Sequence, residues 1–206
     1  MNRTKKLFLS VFPLALFLLP LGCGPTVIRG GPGTDNTTLD ERALSTRLDR
    51  MDIQYLVDQN ILALFASAFW KQEIEPAAGK RPVVTVLPIE NRTAEHLEDG
   101  MDILLSSIET SLVNSGRLTV VSRERREQMV AELGMHKDAV FDPATAGVLG
   151  RQLGATYYVT GKLGAVTERL KKIRRNQYNL FIQVLDVETS TVKFQHEAVR
   201  SKAMKR

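Results

Sequence analysis

The sequence predicts an α/β domain: a three-layer sandwich in which a mixed sheet of about five strands carries helices on both faces. Three observations point to it. Val83 to Ile89 (VVTVLPI) is apolar at both alternating sets of positions, as in a strand covered on both sides. In Gln177 to Val187, Leu180, Ile182 and Val184 alternate with Phe181, Leu185 and Val187, so this strand too calls for cover on both faces. The segments also run in the order α-β-α-β-α-α-β-β-β, which mixes helix crossovers with terminal hairpins.

Asp52 is placed to cap a first helix, whose stripe is Ile53, Leu56, Val57, Ile61, Leu64 and Phe65. Such a stripe is core packing. Glu75-Pro76 to Pro82 breaks the chain before the strand at Val83. A second helix runs from about Glu98 to Ser115, with Met101, Leu104, Leu105, Ile108 and Leu112 on one face and Gly116 just past its end. Leu118 to Val121 is a short strand, and Ser122 caps a helix through Leu133. Asp142-Pro143, an N-cap residue followed by proline at the first helical position, starts a helix that ends at Leu153-Gly154. Three strands follow: Tyr157 to Leu163, Gln177 to Val187, and Thr191 to about Val199, the last two joined by a hairpin at Glu188-Thr189-Ser190.

The N-terminus has a different character. Arg3, Lys5 and Lys6 precede Leu7 to Leu21, an almost wholly apolar stretch of about 15 residues, which is the architecture of a secretory signal and too short for a bilayer span. Gly22-Cys23 closes it. This junction resembles the bacterial lipobox, although Pro20 and Leu21 depart from its pattern, so residues 1–22 are expected to be a lipoprotein signal peptide and Cys23 the lipidated residue. Three acyl chains would make that anchor effectively permanent, whereas one alone holds only weakly. Removal of the signal takes away three cations and no acid, so the formal charge of +5 falls to +2, too little to favour a nucleic-acid partner. Spending the only cysteine on the anchor also excludes disulfides, thiol catalysis and cysteine metal sites. Residues 24 to about 50 are rich in Gly, Pro, Thr, Asn and Asp and read as a flexible tether. Its contour is about 90 Å and its relaxed span about 30 Å, which limits any partner to a layer near the membrane.

No motif for covalent, metal or phosphate chemistry is present, and His96, His136 and His196 lie in separate segments without ligand spacing. The expectation is therefore a non-enzyme without cofactor or metal. Two features remain as candidate partner contacts. Asn91, Arg92 and Thr93 follow the first strand directly; Asn91 and Thr93 suit either local capping turns or ligand contact, while Arg92 should point outward from a rigid strand end. The second is the run Arg169, Lys171, Lys172, Arg174 and Arg175 between two late strands. It is either a solvated loop or a contact for anionic lipid, wall polymer or an acidic protein.

Four stretches in order, VVTVLPIENRT, SGRLTVVSRERREQMVAELG, LGRQLGATYYVTGKL and YNLFIQVLDVETSTVKF, resemble the LpoB family of lipoprotein activators of penicillin-binding proteins. The similarity spans residues 52 to about 199, and its most telling pieces are Asn91-Arg92-Thr93, Gly154-Ala155-x-Tyr157 and Asp186-x-x-Thr189. The resemblance implies a fold like the amino-terminal domain of TolB over residues 51–206 and anchoring in the outer membrane facing the periplasm, with which Gly24 after the cysteine agrees. It further implies stimulation of a bifunctional peptidoglycan synthase. The soluble domain is expected to be monomeric. Two departures stand out: the best-known members have a long Pro-rich tether, and they lack the basic run at Arg169 to Arg175. A second reading stays open, an interaction subunit of an envelope secretion or assembly complex, because TolB-like domains occur in curli-type secretion lipoproteins.

Overall fold

A computed structural model of the chain describes residues 26–28, 42–43, 45–77, 79, 81–136, 139 and 141–205. The expected signal peptide and Cys23 lie outside the described residues. Two helices of 17 residues each form the roof of the larger core. In α1 (Arg50–Ala66), Ile53, Leu56, Val57, Ile61 and Leu64 fall on the buried stripe. In α2 (Glu98–Asn114) Leu104, Leu105, Ile108 and Leu112 do the same.

The cap of α1 differs from expectation. Asp49, not Asp52, is the N-cap, and the two form a reciprocal capping box in which Asp49 accepts from Met51 and Asp52 amides while Asp52 accepts from the Asp49 amide. Two acids three residues apart offer either one as the cap. The choice falls to Asp49 because Asp52 is needed elsewhere: it is fully buried against Lys202 and Arg200. Beyond α1, a π-helical turn (Trp70–Ile74) tucks Trp70 and Ile74 into the core.

The strands are β1 (Thr26–Ile28), β2 (Arg42–Ala43), β3 (Val83–Val86), β4 (Glu90–Asn91), β5 (Thr119–Val120), β6 (Tyr157–Leu170), β7 (Ile173–Asp186) and β8 (Val192–Lys205). They form one mixed sheet in the order β2-β1-β8-β7-β6-β3-β5, with β4 also pairing β6. Pairs β3–β5, β3–β6 and β4–β6 are parallel and the rest antiparallel. The segment expected to be a tether is therefore not featureless throughout, since β1 and β2 come from it and β1 pairs with β8.

The last three strands are the main departure in length. Each is 14 residues long, against about seven, eleven and nine expected from apolar alternation. Their outer halves are polar, and β6 and β7 continue as a two-stranded ribbon, with Arg169 opposite Arg174 and Leu170 opposite Ile173 across the turn.

The larger core lies between α1, α2 and one sheet face, where Val84, Val86, Leu163, Leu180, Ile182 and Val184 meet the two helices. A smaller core lies on the other face, under α3 (Arg123–Glu132) and α4 (Pro143–Gln152), and joins Leu87, Met129, Leu149, Tyr158, Leu185 and Val187. Helices thus occupy both faces as expected. The second layer, however, covers only the base of the sheet. Phe181, expected to be buried, is only partly so: Lys162 lies over its ring at 5.3 Å, and Gln183 bonds Gln195 beside it.

The predicted starts of α3 and α4 hold. Ser122 accepts from the Arg125 amide, and Asp142 accepts from the Thr145 amide at 3.1 Å with Pro143 next to it. Gly116 and Gly154, just past α2 and α4, take φ of +67° and +66°, where a side chain would be strained.

Candidate docking surface

The loop after β3 is positioned from both of its sides. On one side Glu90 and Asn91 pair with Lys162 and Leu163 of β6, and the Arg92 amide donates to the Leu163 carbonyl at 2.8 Å. On the other, Glu95 is a brace. Its carboxylate accepts from the Leu48 amide at 3.3 Å, lies 3.8 Å from Arg47, and accepts a hydrogen bond from Tyr178. The Tyr178 hydroxyl also faces the Thr46 carbonyl at 2.9 Å, so its one proton is shared between two acceptors. Burial, followed by the adjacent Glu95 charge, holds this phenol well above its usual range, so it stays a donor.

Within the loop, Asn91 accepts from the Thr93 amide at 2.9 Å and the Thr93 hydroxyl at 2.8 Å, and donates to the Glu95 carbonyl at 3.0 Å. Thr93 in turn accepts from the Glu95 amide. This is an Asx turn closed on itself, in which both residues shape the loop. Arg92 is what the loop displays. Its side chain is 57% exposed, steadied by Glu90 at 2.8 Å. A rigid loop with one projecting guanidinium suits recognition of a carboxylate or a backbone carbonyl on a partner.

The other candidates sit elsewhere. The basic run expected in a loop is the end of a strand pair: Arg169 is the penultimate residue of β6, Lys171 and Lys172 form the turn, and Arg174 and Arg175 follow Ile173 at the start of β7. Arg175 pairs with Glu168, with Nε at 2.9 Å. Lys171 has φ of +52°, the left-handed geometry a tight hairpin turn requires. From Leu163, which registers with Asn91, to the turn is seven residues of strand, about 23 Å. The structure therefore makes two separate patches rather than one site.

Two residues of this surface are invisible to motif reading. Glu95 and Tyr178 lie 83 positions apart, and only the fold shows that one braces the loop through the other. A cleft of about 580 Å³ beside them, lined by Arg47, Arg50, His96, Glu98 and Asp99, opens between the starts of α1 and α2. Its charges are mixed and His96 has no ligating neighbour. Among the described residues no group of His, Cys, Asp and Glu is arranged to hold a metal ion, and no helix is long and apolar enough to cross a membrane.

A three-layer α/β domain that presents a braced polar loop and a cationic ribbon has the makeup of a docking module. The chain belongs to the LpoB family: the family described as Peptidoglycan-synthase activator LpoB matches residues 52–199. No curated protein matches the sequence. The fold is similar to the LpoB C-terminal domain from Salmonella enterica, with a TM-score of 0.53 and 17% identity over 72% of this chain and 97% of that one. It is also similar to that domain from Escherichia coli (TM-score 0.51, 18% identity, 69% of this chain and 96% of that one covered). The NMR structure of E. coli LpoB matches at a TM-score of 0.52 and 17% identity, over 97% of this chain and 94% of that one.

Proposed function

We propose that this chain is an outer-membrane-anchored periplasmic lipoprotein that binds a bifunctional penicillin-binding protein and activates it, promoting peptidoglycan synthesis. The observation that carries the reading is the family match across residues 52–199, which runs from the first turn of α1 to the middle of β8. Family membership supports the role of peptidoglycan-synthase activator. The signal-like residues 1–22 and Cys23 add the address: export, three acyl chains and a periplasmic face.

An activator without chemistry of its own works by differential affinity, binding the partner's active conformation more tightly than its resting one. Arg92 on its braced loop is the contact best prepared for this, since its geometry is set before the partner arrives and little ordering entropy is lost on docking. The test is to add the purified full-length lipoprotein to the cell's own bifunctional synthases and follow glycan polymerisation and peptide crosslinking. Stimulation is expected, and Arg92→Ala should raise the concentration needed for half-maximal stimulation by about ten-fold, the range of an interface hot spot, with no change in thermal unfolding. Unchanged synthase rates with every bifunctional synthase would overturn the proposal.

A further inference from the structure

The ribbon end formed by β6 and β7 gathers more positive charge than any other described part of the chain. Arg169, Lys171, Lys172, Arg174 and Arg175 fall within seven residues, and Glu168 offsets only Arg175. Arg169, Lys171 and Lys172 are exposed. Beside them Val166, an apolar side chain, is 56% exposed on the face of the ribbon that no helix covers. Cations flanking an exposed apolar residue match the interfacial region of a bilayer, where charge meets headgroups and an aliphatic group enters the boundary.

Chain direction says what lies next to this end. Strand β1 runs antiparallel to β8, with Thr26 opposite Lys205 and Ile28 opposite Ala203. Lys205 in turn lies opposite Ile173, the first residue after the turn. The chain therefore enters β1 at the cationic end. Two strand spacings separate Thr26 from Ile173, about 10 Å. Cys23 is three residues upstream of Thr26, so covalent geometry holds it within about 10 Å of Thr26. The anchor and the cations are thus confined to one end of the molecule, some 20 Å apart at most, little more than two Debye lengths at physiological salt.

We propose that the end of the β6–β7 ribbon rests on the anionic phospholipid headgroups of the leaflet that holds Cys23, so that the domain stands on the membrane with Arg92 about 23 Å further out. This rests on the lipid anchor of the functional reading and goes beyond it: the ribbon becomes a second, electrostatic foot that fixes orientation. Each cation close to an anionic surface strengthens association by about five-fold at low salt, so three together are a sizeable bias.

The probe is a fluorophore on Val166→Cys in the full-length lipidated protein, where it is the only free thiol because Cys23 carries lipid. Vesicles contain a headgroup nitroxide quencher and either phosphatidylcholine alone or phosphatidylcholine with about a third phosphatidylglycerol. Quenching is expected to be about three-fold greater on the anionic vesicles, and to fall to the zwitterionic level in high salt. Arg169→Gln, Lys171→Asn and Lys172→Gln together should abolish the difference while leaving thermal unfolding intact, Asn being suited to the left-handed turn position. Equal quenching on both vesicle types, with acylated Cys23 confirmed by mass spectrometry, would overturn the foot and leave the anchor standing. Fluorescence that responds to isolated sacculi and not to lipid would overturn it in favour of wall polymer. A Cys23 without lipid would overturn the anchor and the foot together.

Discussion

Leu180 and Phe181 are neighbours in β7, yet Leu180 is wholly buried and Phe181 partly open to solvent, and this difference runs along the sheet. On the face of Leu180, cover is continuous. It is apolar at the base, where α1 and α2 meet Val84, Leu163, Ile182 and Val184, and becomes ionic further out. There the start of α1 and the residues before it close over the ribbon. Lys202 is fully buried against Asp52 and within 3.0 Å of Asp49, Arg200 pairs with Asp52 at 3.5 Å and stacks on Tyr55, and Asn176 and Tyr178 both reach the Thr46 carbonyl. On the opposite face α3 and α4 stop at the base, and Gln183, Gln195, Asn179 and Glu197 satisfy one another in solvent. One face is sealed along its length and the other is left open to solvent beyond its base.

The largest effect should come from the ionic stretch of the covered face. A buried charge whose partner is removed keeps its desolvation penalty and loses its compensation. Asp52→Asn takes one carboxylate from between Lys202 and Arg200 and also weakens the capping box of α1. The expected loss is about 3–5 kcal/mol of unfolding free energy, read from urea denaturation. A loss below about 1 kcal/mol would mean that solvent reaches this cluster and that the covered face ends earlier than it does in the structure.

Next comes the contrast between the neighbours themselves. Leu180→Ala leaves a cavity between α1 and the sheet and should cost about 2–5 kcal/mol. Phe181→Ala removes a larger side chain from the open face, and with it the Lys162 contact, yet should cost no more than about 1 kcal/mol. Equal effects in urea denaturation would show that something covers Phe181 in solution, and the distinction between the faces would fail.

The same contrast explains what was legible in the sequence. Val83 to Ile89 announces itself because both of its faces are apolar, and Asp142-Pro143 marks α4 by local backbone chemistry alone. The Asx turn of Asn91 and Thr93 is legible for the same reason. The outer halves of β6, β7 and β8 are not. Arg174, Arg175, Asn176, Arg200 and Lys202 carry no apolar alternation, and the buried Asn176, Arg200 and Lys202 find partners 130 to 153 positions away, near the start of α1. A strand stabilised by ions supplied from another element reads as a loop. The ion pair also displaced the expected cap, since Asp52 has to face Lys202. For the candidate docking surface, Arg92 is legible and the brace of its loop, Glu95 to Tyr178, is not, because a brace is a property of two chain segments meeting.

The smallest effect tests how tightly the base of the covered face is sealed at its rim. Tyr157, at the start of β6, sits edge-on to Phe69 with ring centroids 5.1 Å apart and donates to Glu73 at 3.1 Å; Glu73 also holds Lys193 of β8 at 3.0 Å. Burial first, and then the hydrogen bond to Glu73, push this phenol from 10.0 up to about 12. A raised value means that the fold favours the neutral phenol. That contribution is fully present below the unfolded value of 10.0 and is lost as pH rises towards about 12. Tyr157→Phe keeps the ring contact and removes the ionisable group together with one hydrogen bond. At neutral pH it should cost about 1 kcal/mol. Above pH 10 the gap between the two proteins should close, because only the native one then loses stability at this position; burial also raises the values of Tyr158 and Tyr178, so both proteins keep part of the alkaline decline. Urea midpoints measured on either side of pH 10 decide the matter. A gap that stays constant would mean that water reaches the Tyr157 hydroxyl freely, and that the seal between β6, β8 and the π-helical turn is looser than the hydrogen bond to Glu73 implies.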